Sequence, residues 1–338
     1  MVWTPERASV NQKTQWGAES TSALGTPVAA NKYLGCFNVQ FGIEADVNFF
    51  TAGGRKYPST AIENTEWISG SFDGTLDYNG VIYPLASIMG AVNPAAHGAS
   101  STAKDWIYTP PLTSPSVVPQ TFTIEQGDST RAHKAAYCLV TEWGYKGTRK
   151  DFTTSGKLMA QPISDGITMT SNPTAVALAP VAAKQVNVYL DATSGGLGTT
   201  LLTRVLSIEY QMTNVYGPLW VFNRSTAGWT AHVDLKPQCT VKLKVEADAN
   251  GMAMLGYLQA GTTYYLRTEA LGATIDTPNA VKNTFQHDMA LKFDKPSTFA
   301  DDSGVFAIEW NAQVVEDPSW GGSGKAQIFT VTNLITGL

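Results

Sequence analysis

The feature that most constrains this chain is a period of two. Apolar residues fall at every second position in residues 39–43, 121–125, 206–210 and 328–332. Over residues 241–247 the alternation runs Val-Lys-Leu-Lys-Val-Glu-Ala. Successive side chains of a strand point to opposite faces, so each segment turns one face to a core and the other to polar surroundings. Gly, Pro, Asn and Asp separate these segments, the pattern of a sandwich or barrel. No long stretch carries the 3.6-residue period of an amphipathic helix. The expected fold is therefore mainly β.

Two short helices interrupt it. Residues 83–90 place Pro84 where a first turn tolerates proline and Gly90 where a helix stops. Residues 251–261 follow Asn250, a possible N-cap, and end on Gly261. Each helix follows a strand, residues 67–77 in one case and 241–248 in the other.

That likeness raises the question of an internal repeat. Thr121-Phe122, Glu142-Trp143 and Ser155-Gly156-Lys157 return in order as Thr284-Phe285, Glu309-Trp310 and Ser323-Gly324-Lys325. With Gly90 and Gly261, the offsets run from 163 to 171. The reading is a tandem pair of β-sandwich or half-barrel units, each with one short helix. A chain of 338 residues suits about two domains. The expected boundaries are an N-terminal arm over residues 1–24, a first unit over 25–165, a linker over 166–185 and a second unit over 186–338. Residues 92–119 hold five prolines and read as a long irregular loop, a class of segment that is usually functional or mobile.

Composition narrows the function. Charged residues make up 15%, against about 25% in an average protein. So few charges fit a surface that lies largely against other subunits. The formal net charge of −5 and the lack of any long Lys/Arg run argue against a nucleic-acid grip. No secretory signal precedes the fold and no apolar stretch reaches the ~20 residues of a membrane span. Cys36, Cys138 and Cys239 are odd in number and far apart, and read as reduced core thiols.

No catalytic constellation emerges, and the expectation is a protein that is not an enzyme, with no cofactor and no metal. His97, His133, His232 and His287 lack metal-pair spacing. His287 and Asp288 are neighbours on a strand, point to opposite faces and read as solvated. Ser101 and Lys104 match S-x-x-K without its K-T-G partner. Residues 246–251 resemble the start of a calcium loop, but Tyr257 stands where the bidentate carboxylate belongs. Asp73 and Asp77, four apart on a strand, would share a face about 13 Å apart, too far for a retaining glycosidase pair at about 5 Å. Trp220, Trp229, Trp310 and Trp320 could form a sugar-binding platform.

Residues 66–90 carry a family resemblance. Trp67 and the small residues Ser69, Gly70 and Ser71 lead into an acidic strand with Asp73 and Asp77, then Tyr78, then the helix. This resembles the strand–turn–helix of siphophage tail tube (major tail) proteins. Residues 139–143 and 157–160 resemble the closing strands of that unit, and residues 205–222 and 240–266 resemble the unit again.

The resemblance implies a β-sandwich whose inner sheet joins neighbouring subunits into an inter-subunit β-barrel ring. Rings then stack into the tube that viral DNA passes through. Asp73, Asp77, Glu246 and Asp248 become candidate lumen-facing acids that repel phosphates, with solvated carboxylates on an outer strand as the alternative. Two units per chain imply a trimer with pseudo-sixfold symmetry, or a hexamer if the second unit is a decoration. The implied partners are further copies of the chain, tape measure and tail-terminator or tail-tip proteins, and DNA only in transit, with no membrane. The implied location is the virion tail, after synthesis in the bacterial host cytoplasm. Residues 1–24 and 92–119 are candidates for ring-to-ring contacts. A tail-tip or capsid-decoration protein and a carbohydrate-binding module remain as alternatives.

Overall fold

The computed structural model describes residues 9–113, 118–128, 130–222 and 224–338. It is mainly β, as the period of two requires. The first half holds β1 (Lys13–Ala18), β2 (Phe37–Phe50), β3 (Thr60–Thr75), α1 (Ile82–Met89), β4 (Phe122–Gly127), β5 (Ala132–Thr148), β6 (Phe152–Ala160) and β7 (Ser164–Ile167). The second holds β8 (Val186–Asp191), β9 (Val205–Thr213), β10 (Gln238–Glu246), α2 (Ala249–Ala260), β11 (Tyr264–Asp276), β12 (Val281–Phe293), β13 (Ala300–Asp302), β14 (Val305–Val314) and β15 (Gln327–Asn333).

The strand order of the first half recurs in the second. One layer runs β2–β3–β6–β5, and its counterpart runs β9–β10–β14–β12. The other layer runs β1–β4–β5–β7, and its counterpart β8–β11–β12–β15. Strands β5 and β12 are long enough to serve both layers. In β5 the crossing falls beside Tyr137, whose φ of 55° turns the backbone from one sheet to the other. The two inner layers are themselves joined, because β5 pairs with β9 from Trp143↔Met212 to Thr148↔Ser207. The result is one open sheet in the order β2–β3–β6–β5–β9–β10–β14–β12, to which β13 adds beside β14.

Helix α1 is buried at every position, as a helix apolar all round must be. Its serine hydroxyl, Ser87 Oγ, accepts from Val140 N at 2.9 Å. Helix α2 is capped by Asp248, whose Oδ1 accepts from Gly251 N at 2.8 Å, rather than by Asn250. Gly261 takes φ 62° at its C-cap. Gly90 likewise follows α1.

Other sequence expectations need correction. The Thr121-Phe122 and Thr284-Phe285 matches fall on β4 and β12, and the Glu142-Trp143 and Glu309-Trp310 matches on β5 and β14. These strands hold different places in the recurring order, so those motif matches are chance. Only the helix-ending glycines coincide. Within the expected arm, residues 13–18 form β1, which pairs with β4 and buries Gln15 and Trp16. Gln15 Nε2 donates to Ala30 O and Thr170 O, which a free arm could not offer. Residues 1–8 and 114–117 lie outside the described residues. Within the proline-rich loop, Lys104–Tyr108 is a strand paired with β15, because Trp106 and Tyr108 enter the core. The linker is tied down too: Val176 N and Val181 N donate to Tyr33 O and Leu76 O.

Candidate assembly surface

The eight-stranded sheet has one apolar and one polar face. On the apolar side Phe72, Trp143, Tyr145, Tyr210, Leu243 and Trp310 are fully buried. The β5–β9 joint is part of this core. Tyr145 and Tyr210 stack with centroids 5.5 Å apart and planes at 26°. Gly144 permits the approach, since a Cβ there would stand 2.4 Å from Tyr210 O.

Behind the joint lies His287, read from sequence as solvated and in fact wholly buried. Its ring stacks on Phe329 at 3.7 Å. Tyr145 Oη lies 3.0 Å from Nδ1, and Nε2 lies 3.1 Å from Gln327 Oε1. A neutral ring that donates from Nε2 and accepts Tyr145 O–H at Nδ1 satisfies both contacts. Burial pushes the imidazole pKa down to about 3. Asp288 does point the other way, but it is bound by Arg267, with Nε to Oδ1 at 2.6 Å and Nη2 to Oδ2 at 2.9 Å. The alternation predicted their opposite directions; it could not show that both faces of β12 are covered.

The polar face carries ladders of opposite charge. Glu209 on β9 receives Lys146 of β5 at 3.4 Å and Lys242 of β10 at 3.0 Å. Burial alone would raise the Glu209 carboxyl, but the two ammonium groups outweigh it and hold it below the usual range. Lys157 pairs with Glu142 at 3.1 Å. Lys244 and Arg149 both reach Asp302. This face is mixed in charge rather than plainly acidic.

The four sequence-chosen acids do not form one set. Asp73 is exposed on the polar face beside Asn38, whose Nδ2 lies 3.5 Å from Oδ1. Glu246 sits at the end of β10 and is bound by Arg204 at 2.8 Å. Asp248 caps α2 and lies 3.8 Å from the same guanidinium. Asp77 is not on a strand at all, because β3 ends at Thr75. It is 1% exposed and cannot line a lumen. Its Oδ1 accepts from Asn79 N and Gly80 N, each at 2.9 Å, and its Oδ2 accepts from Ala179 N at 2.5 Å. Burial raises its pKa, although those three backbone bonds pull the other way.

Sequence reading missed the lysine ladders, although Lys242 and Lys244 stood in the clearest alternating segment. It also missed the tip of the β2–β3 hairpin. There Phe49, Phe50, Tyr57 and Ile62 are exposed, the first at 68% and Tyr57 at 79%. The tryptophan platform does not form: Trp229, Trp310 and Trp320 are buried, while Trp220 packs on Trp67 and under Arg224. Ser101 of the S-x-x-K match donates to Asp276 at 2.6 Å and so ties a loop to the end of β11. Among the described residues no helix is long and apolar enough to cross a membrane.

The architecture defines a mainly β protein whose inner sheet is open at both ends. No family model and no curated protein matches the chain. Among solved structures it is similar to the SPP1 tail tube, determined by solid-state NMR and cryo EM, at 12% sequence identity. The match covers 46% of this chain and 82% of that one, with a TM-score of 0.30. At that score the likeness carries no weight by itself.

Proposed function

We propose that this chain is a structural virion protein that assembles with copies of itself into rings, stacked as a tail tube for the passage of viral DNA. The observation that carries the reading is the sheet β2–β3–β6–β5–β9–β10–β14–β12. It joins two four-stranded layers of the same order and leaves an unpaired edge at β2 and, beside β14, at β13. Open edges invite pairing with another chain, and closure into a ring removes them. The recurrence supports a tandem pair of units, so that three chains give a ring of pseudo-sixfold symmetry; six chains remain the alternative. The mixed polar face suits a bore that DNA crosses without adhering, since Lys146, Lys157, Lys242 and Lys244 each already have a carboxylate within reach. Tape measure and tail-terminator or tail-tip proteins are then its partners at the tube's interior and ends. Such a protein performs no catalysis and needs no cofactor.

Negative-stain electron microscopy with solution mass tests this. Rings or tubes with a central hole are expected, with image symmetry deciding between three and six chains. A protein that stays monomeric at every concentration, even when seeded with tail-tip complexes, overturns the reading.

A further inference from the structure

The joint between β5 and β9 supplies a template for the two unpaired edges. The helix-ending glycines align the halves. Gly90 and Gly261 each close a helix that follows an inner strand. Their offset of 171 places Phe72 with Leu243, Ser71 with Lys242 and Thr75 with Glu246. Ser71 pairs with Gln40 and Lys242 with Glu209, so Gln40 on β2 holds the place of Glu209 on β9. Thr75 pairs with Thr153, which pairs with Lys146. Glu246 pairs with Ala307, which pairs with Ala300. Ala300 on β13 therefore holds the place of Lys146 on β5.

We infer that the β2 edge of one copy pairs antiparallel with the β13 edge of a second copy, with Gln40 opposite Ala300 and Phe41 against Phe299. Within the chain the corresponding pairs are Glu209 opposite Lys146 and Tyr210 against Tyr145. The inference rests on the tube reading only for closure into a ring.

Two further observations point to the same contact. First, apolar side chains at both edges lie open: Ile43 is 61% exposed, Phe299 50% and Phe306 63%. Phe299 and Phe306 stack on each other at 5.1 Å, so they already form one apolar surface on the core side. Ile43 holds the place of Met212, which is buried at the joint. Among the described residues no strand covers these positions.

Second, the register has the stagger of a barrel. Across the first half, Gln40, Ser71, Lys157 and Glu142 lie in one row. The next half begins its row with Glu209, which faces Lys146, four positions beyond Glu142. A shift of four residues over four strands tilts the strands by about 35°, from ~3.3 Å per residue against ~4.8 Å per strand, and barrel strands tilt by roughly that amount. A flat, aggregating sheet needs no such shift. Three copies in this register supply roughly 24 strands, well beyond the number at which barrels leave an aqueous channel.

The test pairs Gln40→Cys with Ala300→Cys in the full chain, under mild oxidation, with bridged peptides mapped by mass spectrometry. Lys146→Cys with Glu209→Cys is the in-chain control, and Gln40→Cys with Lys295→Cys is the off-register control. Bridges between chains at 40–300, about tenfold above the off-register pair, and a covalent ladder that stops at a closed ring are expected. Phe299→Asp, on an exposed side chain, is expected to raise the concentration needed for assembly by about tenfold or more. Rings whose bridges map elsewhere, or that tolerate Phe299→Asp, overturn this register and leave the tube reading standing. A persistent monomer with no bridge overturns both.

Discussion

Tyr145 and Tyr210 stack across the seam between the two halves, 5.5 Å apart, with Tyr145 Oη 3.0 Å from the buried His287. One aromatic pair thus ties β5, β9 and β12 into a common core. Truncating Tyr210 to Ala should cost about 3–5 kcal/mol of unfolding free energy, the range for a large aromatic removed from a packed interior. Urea denaturation would measure it. The loss should appear in a single transition, because the seam belongs to both halves.

His287 makes stability sensitive to acid. The folded chain holds it neutral, with a pKa near 3, while an unfolded histidine takes a proton below about 6.5. Between these values the unfolded state binds more protons, so stability falls as the pH drops from about 6.5 toward 3. The urea midpoint should decline over that window in the native protein. In His287→Gln the decline should be shallower by up to about 1.4 kcal/mol per pH unit.

Asp77, in the turn before α1, and Asp248, the cap of α2, should differ in weight. Asp77 serves three backbone donors from a buried position, whereas Asp248 serves one from a half-exposed site. Asp77→Ala should cost about 2–3 kcal/mol by leaving buried donors unpaired. Asp248→Ala should cost about 1 kcal/mol, as an ordinary N-cap does. Equal, negligible losses in thermal melts would contradict this assignment.

Glu209 stands between Lys146 and Lys242. Glu209→Lys should alter unfolding free energy by about 1 kcal/mol or less, since the pairs are partly exposed. It should nonetheless turn the ladder into a positive stripe. Assembled variant tubes should then retain DNA at low salt and release it as salt rises, while the native tubes retain none. A filter-retention assay across ionic strength would decide it.

The β2–β3 hairpin presents Phe49, Phe50 and Tyr57 to solvent. Exposed apolar clusters of this kind mark contact sites. Replacing residues 47–62 by a two-residue turn should leave the unfolding free energy of the chain within about 0.5 kcal/mol of its native value, as surface changes do. Stacking of rings should be lost while single rings persist. Tubes of normal length from the shortened chain would refute that role.

The sequence by itself determined the strands and the two helices. Alternation survives in any strand with one buried face, and Pro84, Gly90 and Gly261 act within a turn or two of their own position. It also made a recurring arrangement visible around the two helices, although most of the motif matches used to find it fell on strands that are not counterparts. The true recurrence lies in strand order and in which strand spans both layers, and pairing between distant segments leaves no local mark. The same holds for the acids. A carboxylate at every second position looks equally exposed on paper, yet β3 stops at Thr75 and Asp77 turns inward to meet three backbone donors. Only the tertiary structure could decide that, because the third donor, Ala179 N, arrives from a hundred residues away. It likewise decided that the lysines of β10 meet Glu209 and Asp302, that His287 is buried, and that the sheet ends in open edges at β2 and β13.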